Sequence, residues 1–170
     1  NFAGLARLRV EGPAGTRVAL RYGELLHDDG TLNPMTAVCG QIKNRERPPD
    51  SKRPATAWQE DVYILKGDGV ETYVPRFTFR GFRYVEVTGF PGTLSLENLE
   101  GLVMYSAVEP AGTFRCGNDL YNQIQDVTLR TFLSNLFSVQ SDCPHREKFG
   151  YGGDIVASST ALTIRASSAA

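Results

Sequence analysis

Apolar residues interleave with arginines in LARLRV (residues 5–10) and again in RVALRY (17–22), and no helical period precedes residue 117. Side chains in a strand point alternately to two faces, so Leu5, Leu8 and Val10 predict one half-buried strand, and the stretch after the GPAG turn predicts a second. The pattern returns in DVYIL (61–65), ETYV (71–74), FTF (77–79) and FRYVEVTG (82–89), where Val85 and Val87 share one face. LENLEGLVMYS and AGTFRC (111–116) supply two more candidates. Short strands with turn signals between them predict a mainly β fold, an antiparallel β-sandwich over residues 1–115. Residues 27–57 depart from this: they are polar and proline-rich without any period, and read as a long surface insertion.

At Asn118 the period changes. A cap-competent Asn precedes DLYNQIQDVTLRTFLSN, in which Leu120, Ile124, Val127 and Thr131 fall on one helical face. A second helix is expected to open at Asp154 as its cap and run through IVASSTALTIRA. Two helices over 116–170 cannot close a helical domain alone. Together with the lack of an initiator methionine, this suggests a segment of a longer polypeptide.

Composition narrows the function. Lys and Arg number 18 against 19 Asp and Glu, with no block of one sign, so no electrostatic footprint for nucleic acid is present. No apolar run is long enough to span a bilayer, and the first residues lack the charged and apolar regions of a signal peptide, so no membrane partner is expected and the cellular address is unreadable. Cys39, Cys116 and Cys143 are odd in number and irregularly spaced, which fits reduced thiols better than a disulfide framework. Trp58 reads as a strand anchor, and FTFRGFRY as core packing with its two arginines outward.

Between the helices lies SDCPHREKFGYGGD (141–154), where Pro144 and the glycines exclude regular structure. Its carboxylates Asp142, Glu147 and Asp154 can be folded into one pocket, and clustered like charges resist joint ionisation, leaving one acid protonated for general-acid work while the others accept hydrogen bonds from sugar hydroxyls. Phe149 and Tyr151 could stack on a sugar ring. The structural alternatives are as simple: Asp154 as a helix cap, Asp142 satisfying loop amides, Arg146 pairing with one of them, Phe149 as a core plug. Cys143 and His145 lack the spacing and fourth partner of a zinc site, and fail the geometry of a nucleophile pair, so no metal is expected.

DCPHREKFGYGGD resembles the signature loop of the bacterial α-L-rhamnosidases, inverting glycoside hydrolases, and the segments NFAGLARLRVEGPAGTRVALRYGELLHDDGTL, DVYILKGDG and YVPRFTFRGFRYVEVTG resemble that family's β-sandwich. The resemblance implies a sandwich followed by the first helices of an α/α toroid of six hairpins. It makes Glu147 the general acid, Asp142, Asp154 and Arg146 the residues that hold rhamnose, and Tyr151 the occupant of a position where the family commonly has Trp. It implies no cofactor. The expected partners are a rhamnose-containing glycoside or polysaccharide and the remainder of the same polypeptide, which would supply the catalytic base from beyond residue 170. The rival reading is a non-catalytic carbohydrate-binding or structural β-sandwich.

Overall fold

The structure is a computed structural model that describes residues 1–38, 56–109 and 112–166, with side chains through residue 159. Cys39 and most of the polar insertion therefore lie outside the described residues.

Strand β1 (Phe2–Glu11) is the spine of the first sheet. From Ala6 onward Ala6, Leu8 and Val10 are buried while Arg7, Arg9 and Glu11 face solvent, the alternation expected of a strand with one wet face. Ala3, Gly4 and Leu5, by contrast, are buried in succession, so both faces of the strand are covered here; helix α1 is among the elements that contact β1. Strand β2 (Arg17–Gly23) carries Val18, Leu20 and Tyr22 into the same core. Two short strands, β3 (Leu25–Leu26) and β4 (Leu32–Asn33), form a hairpin.

The remaining strands are β5 (Glu60–Ile64), β6 (Val70–Tyr73), β7 (Arg80–Phe82), β8 (Tyr84–Thr88) and β9 (Leu99–Val103). Antiparallel partners of β1 are β6 at Leu8–Glu11, β7 at Phe2–Gly4 and β9 at Gly4–Leu8. The second sheet has the order β5-β2-β8. Leu8 and Val10 from one sheet meet Val18 and Leu20 from the other, the four largest fully buried side chains, with Phe82 and Leu65 completing the cluster. Val85 and Val87 pack against it. Glu71 closes the KGDG turn: its carboxylate accepts from the Lys66 and Gly67 amides and from the Tyr63 hydroxyl at 2.6 Å, and that hydroxyl above all holds its pKa below the ordinary range.

Several sequence expectations need correction. Residues 77–79 are not a strand: Phe77 has φ 60 and is fully exposed. FRYVEVTG is not continuous, because the chain passes at Arg83 from β7 in the first sheet to β8 in the second. Residues 112–116 are irregular. Arg80 points inward, its guanidinium bound to the buried Asp61 at 2.5 Å. Trp58 lies outside the strands, half-exposed, with the Arg21 guanidinium 4.0 Å from its ring centre.

Helix α1 (Asp119–Asn135) begins as predicted: the Asn118 side chain accepts from the Leu120 amide at 3.0 Å. Its apolar face is present but open, with Leu120, Ile124 and Val127 all exposed. A hairpin of β10 (Leu136–Phe137) and β11 (Val139–Gln140) follows, and then helix α2 (Gly152–Ala166). Asp154 lies inside the first turn of α2 and is not its cap. No helix among the described residues is long and apolar enough to cross a membrane.

Candidate active site

The loop 141–151 is placed by the end of α1. Asn135, buried, anchors to Thr131 through its side chain, and the tight hairpin turn at Ser138 (φ 66) returns the chain so that Ser141 donates to the Asn135 carbonyl from both its amide (2.8 Å) and its hydroxyl (3.1 Å). The Ser138 amide also reaches the Ser106 hydroxyl at 2.6 Å, tying the hairpin to the segment that leaves β9.

Asp142 closes the loop on itself. Its amide donates to the Phe149 carbonyl at 2.9 Å, and its Oδ1 accepts from the Phe149 amide at 2.9 Å. Oδ2 accepts from the Cys143 thiol at 2.9 Å. This is the structural role foreseen as the alternative for Asp142, yet an ionised carboxylate has about four acceptor sites, so capacity for a ligand remains. Within the loop, residues 144–147 form a turn in which the Glu147 amide points to the buried Cys143 sulfur at 3.4 Å. Cys116 and Cys143 are free thiols. Glu147 is partly buried, and its Oε2 accepts from the Tyr151 hydroxyl at 2.9 Å. Phe149 is half-exposed rather than a core plug, its ring centre 5.7 Å from that of Tyr151.

The loop's other side is seated on the β-sandwich. Pro144 and His145 lie over Gly81, where an added Cβ would come within 2.9 Å of both. Gly81 is itself gripped by the Gln59 amide, which donates to its carbonyl and accepts from its N–H, both at 3.0 Å. His145 Nε2 donates to the Thr36 carbonyl at 2.9 Å and lies 3.5 Å from Glu24. The exposed Arg146 donates to the Val38 carbonyl at 3.3 Å. Lys148 turns inward: its Nζ donates to the Phe79 carbonyl at 2.5 Å and sits 4.4 Å from the Phe79 ring centre, and burial, reinforced by the Arg80 cation, brings its pKa down to about 8.

Asp142 and Asp154 line one cavity of about 440 Å³ between α1 and α2, with Thr128, Thr131, Gln140 and Ser158. Glu147 is not among its lining residues, so the three carboxylates do not share this cavity, as the sequence had suggested they could. Gln140 was missed in the sequence. Its buried Oε1 has no donor among the described residues, a loss that a sugar hydroxyl could make good. Nothing in its one-dimensional context marks it. Among the described residues no three His, Cys, Asp or Glu side chains converge to hold a metal ion.

The seat on the sandwich is testable. Gly81→Val should destabilise the fold by about 1–3 kcal/mol through overpacking against Pro144 and His145, read as the midpoint of denaturant unfolding. Gly117→Ala, where an added Cβ meets nothing within 4 Å, is the control and should change little.

A β-sandwich followed by two helices, with a carboxylate-rich loop clamped between sandwich and helices, defines the architectural class. The comparisons narrow it. Residues 1–105 match the model of the bacterial alpha-L-rhamnosidase concanavalin-like domain, and residues 109–169 that of the bacterial alpha-L-rhamnosidase 6 hairpin glycosidase domain. The chain belongs to the bacterial α-L-rhamnosidase family. It is 42% identical over 156 residues to an alpha-L-rhamnosidase of Streptomyces avermitilis, covering 91% of this chain and 14% of that protein. To one from Formosa agariphila it is 32% identical over 157 residues, covering 91% and 15%. Among solved structures, the α-L-rhamnosidase from Dictyoglumus thermophilum matches with a TM-score of 0.79 at 40% identity, over 94% of this chain and 16% of that one. The Streptomyces avermitilis enzyme complexed with L-rhamnose matches with a TM-score of 0.76 at 38% identity, over 96% and 15%. The chain thus spans a small part of the length of its relatives.

Proposed function

We propose that this chain carries the general-acid side of an α-L-rhamnosidase active site, acting with inversion on terminal α-L-rhamnose of a glycoside or polysaccharide. The observation that carries the reading is Glu147: a partly buried carboxyl in a turn, bonded to Tyr151, on the same loop as Asp142, which with Asp154 lines the cavity between the two helices. In this reading Glu147 protonates the glycosidic oxygen as rhamnose leaves. Asp142, Asp154 and Arg146 hold the sugar hydroxyls, and Tyr151 packs on the ring. Inversion requires a second carboxylate roughly 6.5–9.5 Å from the acid to activate water on the opposite face of the sugar. We assign that base to polypeptide outside residues 1–170. We also propose the division into an accessory sandwich, 1–115, and the start of the catalytic domain, 116–170. A relative crystallised with L-rhamnose supports the choice of sugar.

The second reading, a non-catalytic sugar-binding sandwich, is favoured by Phe77. It is fully exposed beside a groove of about 420 Å³ that includes Leu5, Pro75 and Met104. Titration with L-rhamnose separates the two. Binding is expected to weaken at least tenfold, or about 1.4 kcal/mol, in Asp154→Asn, and to survive Phe77→Ala. Binding indifferent to Asp154 and Glu147 but lost with Phe77 favours the sandwich. Turnover of an aryl α-L-rhamnoside by residues 1–170 alone, abolished by Glu147→Gln, would place the base at Asp142 or Asp154.

A further inference from the structure

Lys148 combines two unfavourable features at one residue. Its backbone is left-handed, φ 61, a region that a long side chain enters only at a cost. Its ammonium leaves water for the space between the loop and the sandwich, where burial disfavours the charge and Arg80 opposes it. Such costs persist where the surrounding structure over-determines them, and they cluster at functional sites. Lys148 is also the immediate neighbour of Glu147.

Resting on the reading of Glu147 as the acid, we propose that Lys148 is a positioning residue whose ammonium, clamped to the Phe79 carbonyl and ring, fastens the acid-bearing turn to the β-sandwich and so fixes the acid's aim. The bond is 2.5 Å long and spans 69 residues of sequence. Phe79 is itself held: its ring stacks on Phe137 of β10 with centroids 3.7 Å apart and planes at 8°. One cation therefore links the acid turn, the segment entering β7 and the hairpin that ends α1. The turn is closed on its other side by Asp142 and Phe149, and Glu147 sits between the two fastenings. The charged or titratable groups that face the ammonium are Arg80 of β7, Asp61 of β5, which is paired with Arg80, and the Cys143 thiol of the loop. Neither Asp61 nor Cys143 is a bonded partner of the ammonium, so the Phe79 carbonyl and ring are the contacts that account for its direction. The consequence is that the accessory sandwich takes part in catalysis by holding the acid, although it supplies no group to the reaction.

The test uses the full-length polypeptide carrying this segment. Lys148→Met keeps the length and apolar stem and removes the cation; Lys148→Arg keeps a cation. Lys148→Met should lower kcat about 10- to 100-fold, as expected for a misplaced catalytic group. KM should stay within about twofold, and the thermal midpoint should hold or rise because a desolvated charge has gone. Lys148→Arg should restore most of kcat. Wild-type kcat in Lys148→Met overturns the proposal, and so does a kcat loss that follows a fall in thermal midpoint and is not restored by Arg. If Glu147→Gln keeps full activity in the same polypeptide, the assignment of the acid has failed, a result distinguishable from failure of the anchor.

Discussion

Glu147→Gln in the full-length polypeptide is expected to lower kcat on an alkyl α-L-rhamnoside by about 10²–10⁴-fold, the range lost with a general acid. The substitution suits the question because Gln keeps the shape and can still accept the bond that Tyr151 donates to Oε2. It removes only the ionisable proton. The dependence on leaving group is the sharper part of the expectation. An alkoxide cannot depart without a proton, whereas an acidic nitrophenol departs largely unaided, so the loss should shrink markedly on a nitrophenyl rhamnoside. A loss of equal size on both substrates would show that Glu147 acts on binding or folding and not on the departing oxygen. Asp154→Asn should respond differently, raising KM on both substrates, because a hydroxyl-holding carboxylate is used before and during bond cleavage alike.

What the sequence made legible follows period and local chemistry. Arg7, Arg9 and Glu11 alternate with buried Leu8 and Val10, which identifies a strand without knowledge of its partners. Asn118 announces α1 because a cap is decided within a few residues. The misreadings occur where long-range packing decides. Phe77–Phe79 have strong strand propensity, yet Phe79 is drawn to Phe137 and Lys148, and the chain bends at Phe77. In FRYVEVTG the core-facing residues change parity, from Phe82 to Val85 and Val87, but the segment is apolar enough on both faces to be read as one strand, and the transfer from one sheet to the other at Arg83 goes unseen. In the candidate site, the chemistry-bearing residue types were visible because a cluster of carboxylates is unusual in so short a loop. Their supports were not. Lys148 and His145 find backbone carbonyls 69 and 109 residues away, and a carbonyl carries no residue identity for a sequence to display. Asp154 shows the opposite error: its type suits a cap, but the glycines before it let α2 open at Gly152.

The second large effect expected is on stability, at a pair that joins the two sheets and borders the acid loop. Asp61 on β5 is 8% exposed and Arg80 on β7 is 14% exposed; Nη2 reaches Oδ1 at 2.5 Å and Nε reaches Oδ2 at 3.3 Å, while Nη2 also donates to the Glu60 carbonyl at 3.0 Å. A buried pair of this kind contributes little against an apolar replacement of both partners, because desolvation offsets the attraction. Removing one partner is different, since the other stays buried without compensation. Arg80→Met should therefore cost roughly 3–5 kcal/mol, a fall in thermal midpoint of about 6–20 °C for a chain of this size. The double variant Asp61→Leu with Arg80→Met should recover most of that loss. A single variant as stable as the wild type, or a double variant with additive losses, would mean that the pair is solvated in a way its burial does not suggest. The site should register the change as well. Arg80 is the second cause, after burial, of the low pKa of Lys148, and Asp61 opposes it, so in Arg80→Met the lysine should titrate above its wild-type value of about 8. Following the Lys148 ammonium by NMR through an alkaline titration reads that shift directly, and its absence would separate the ion pair from the acid loop.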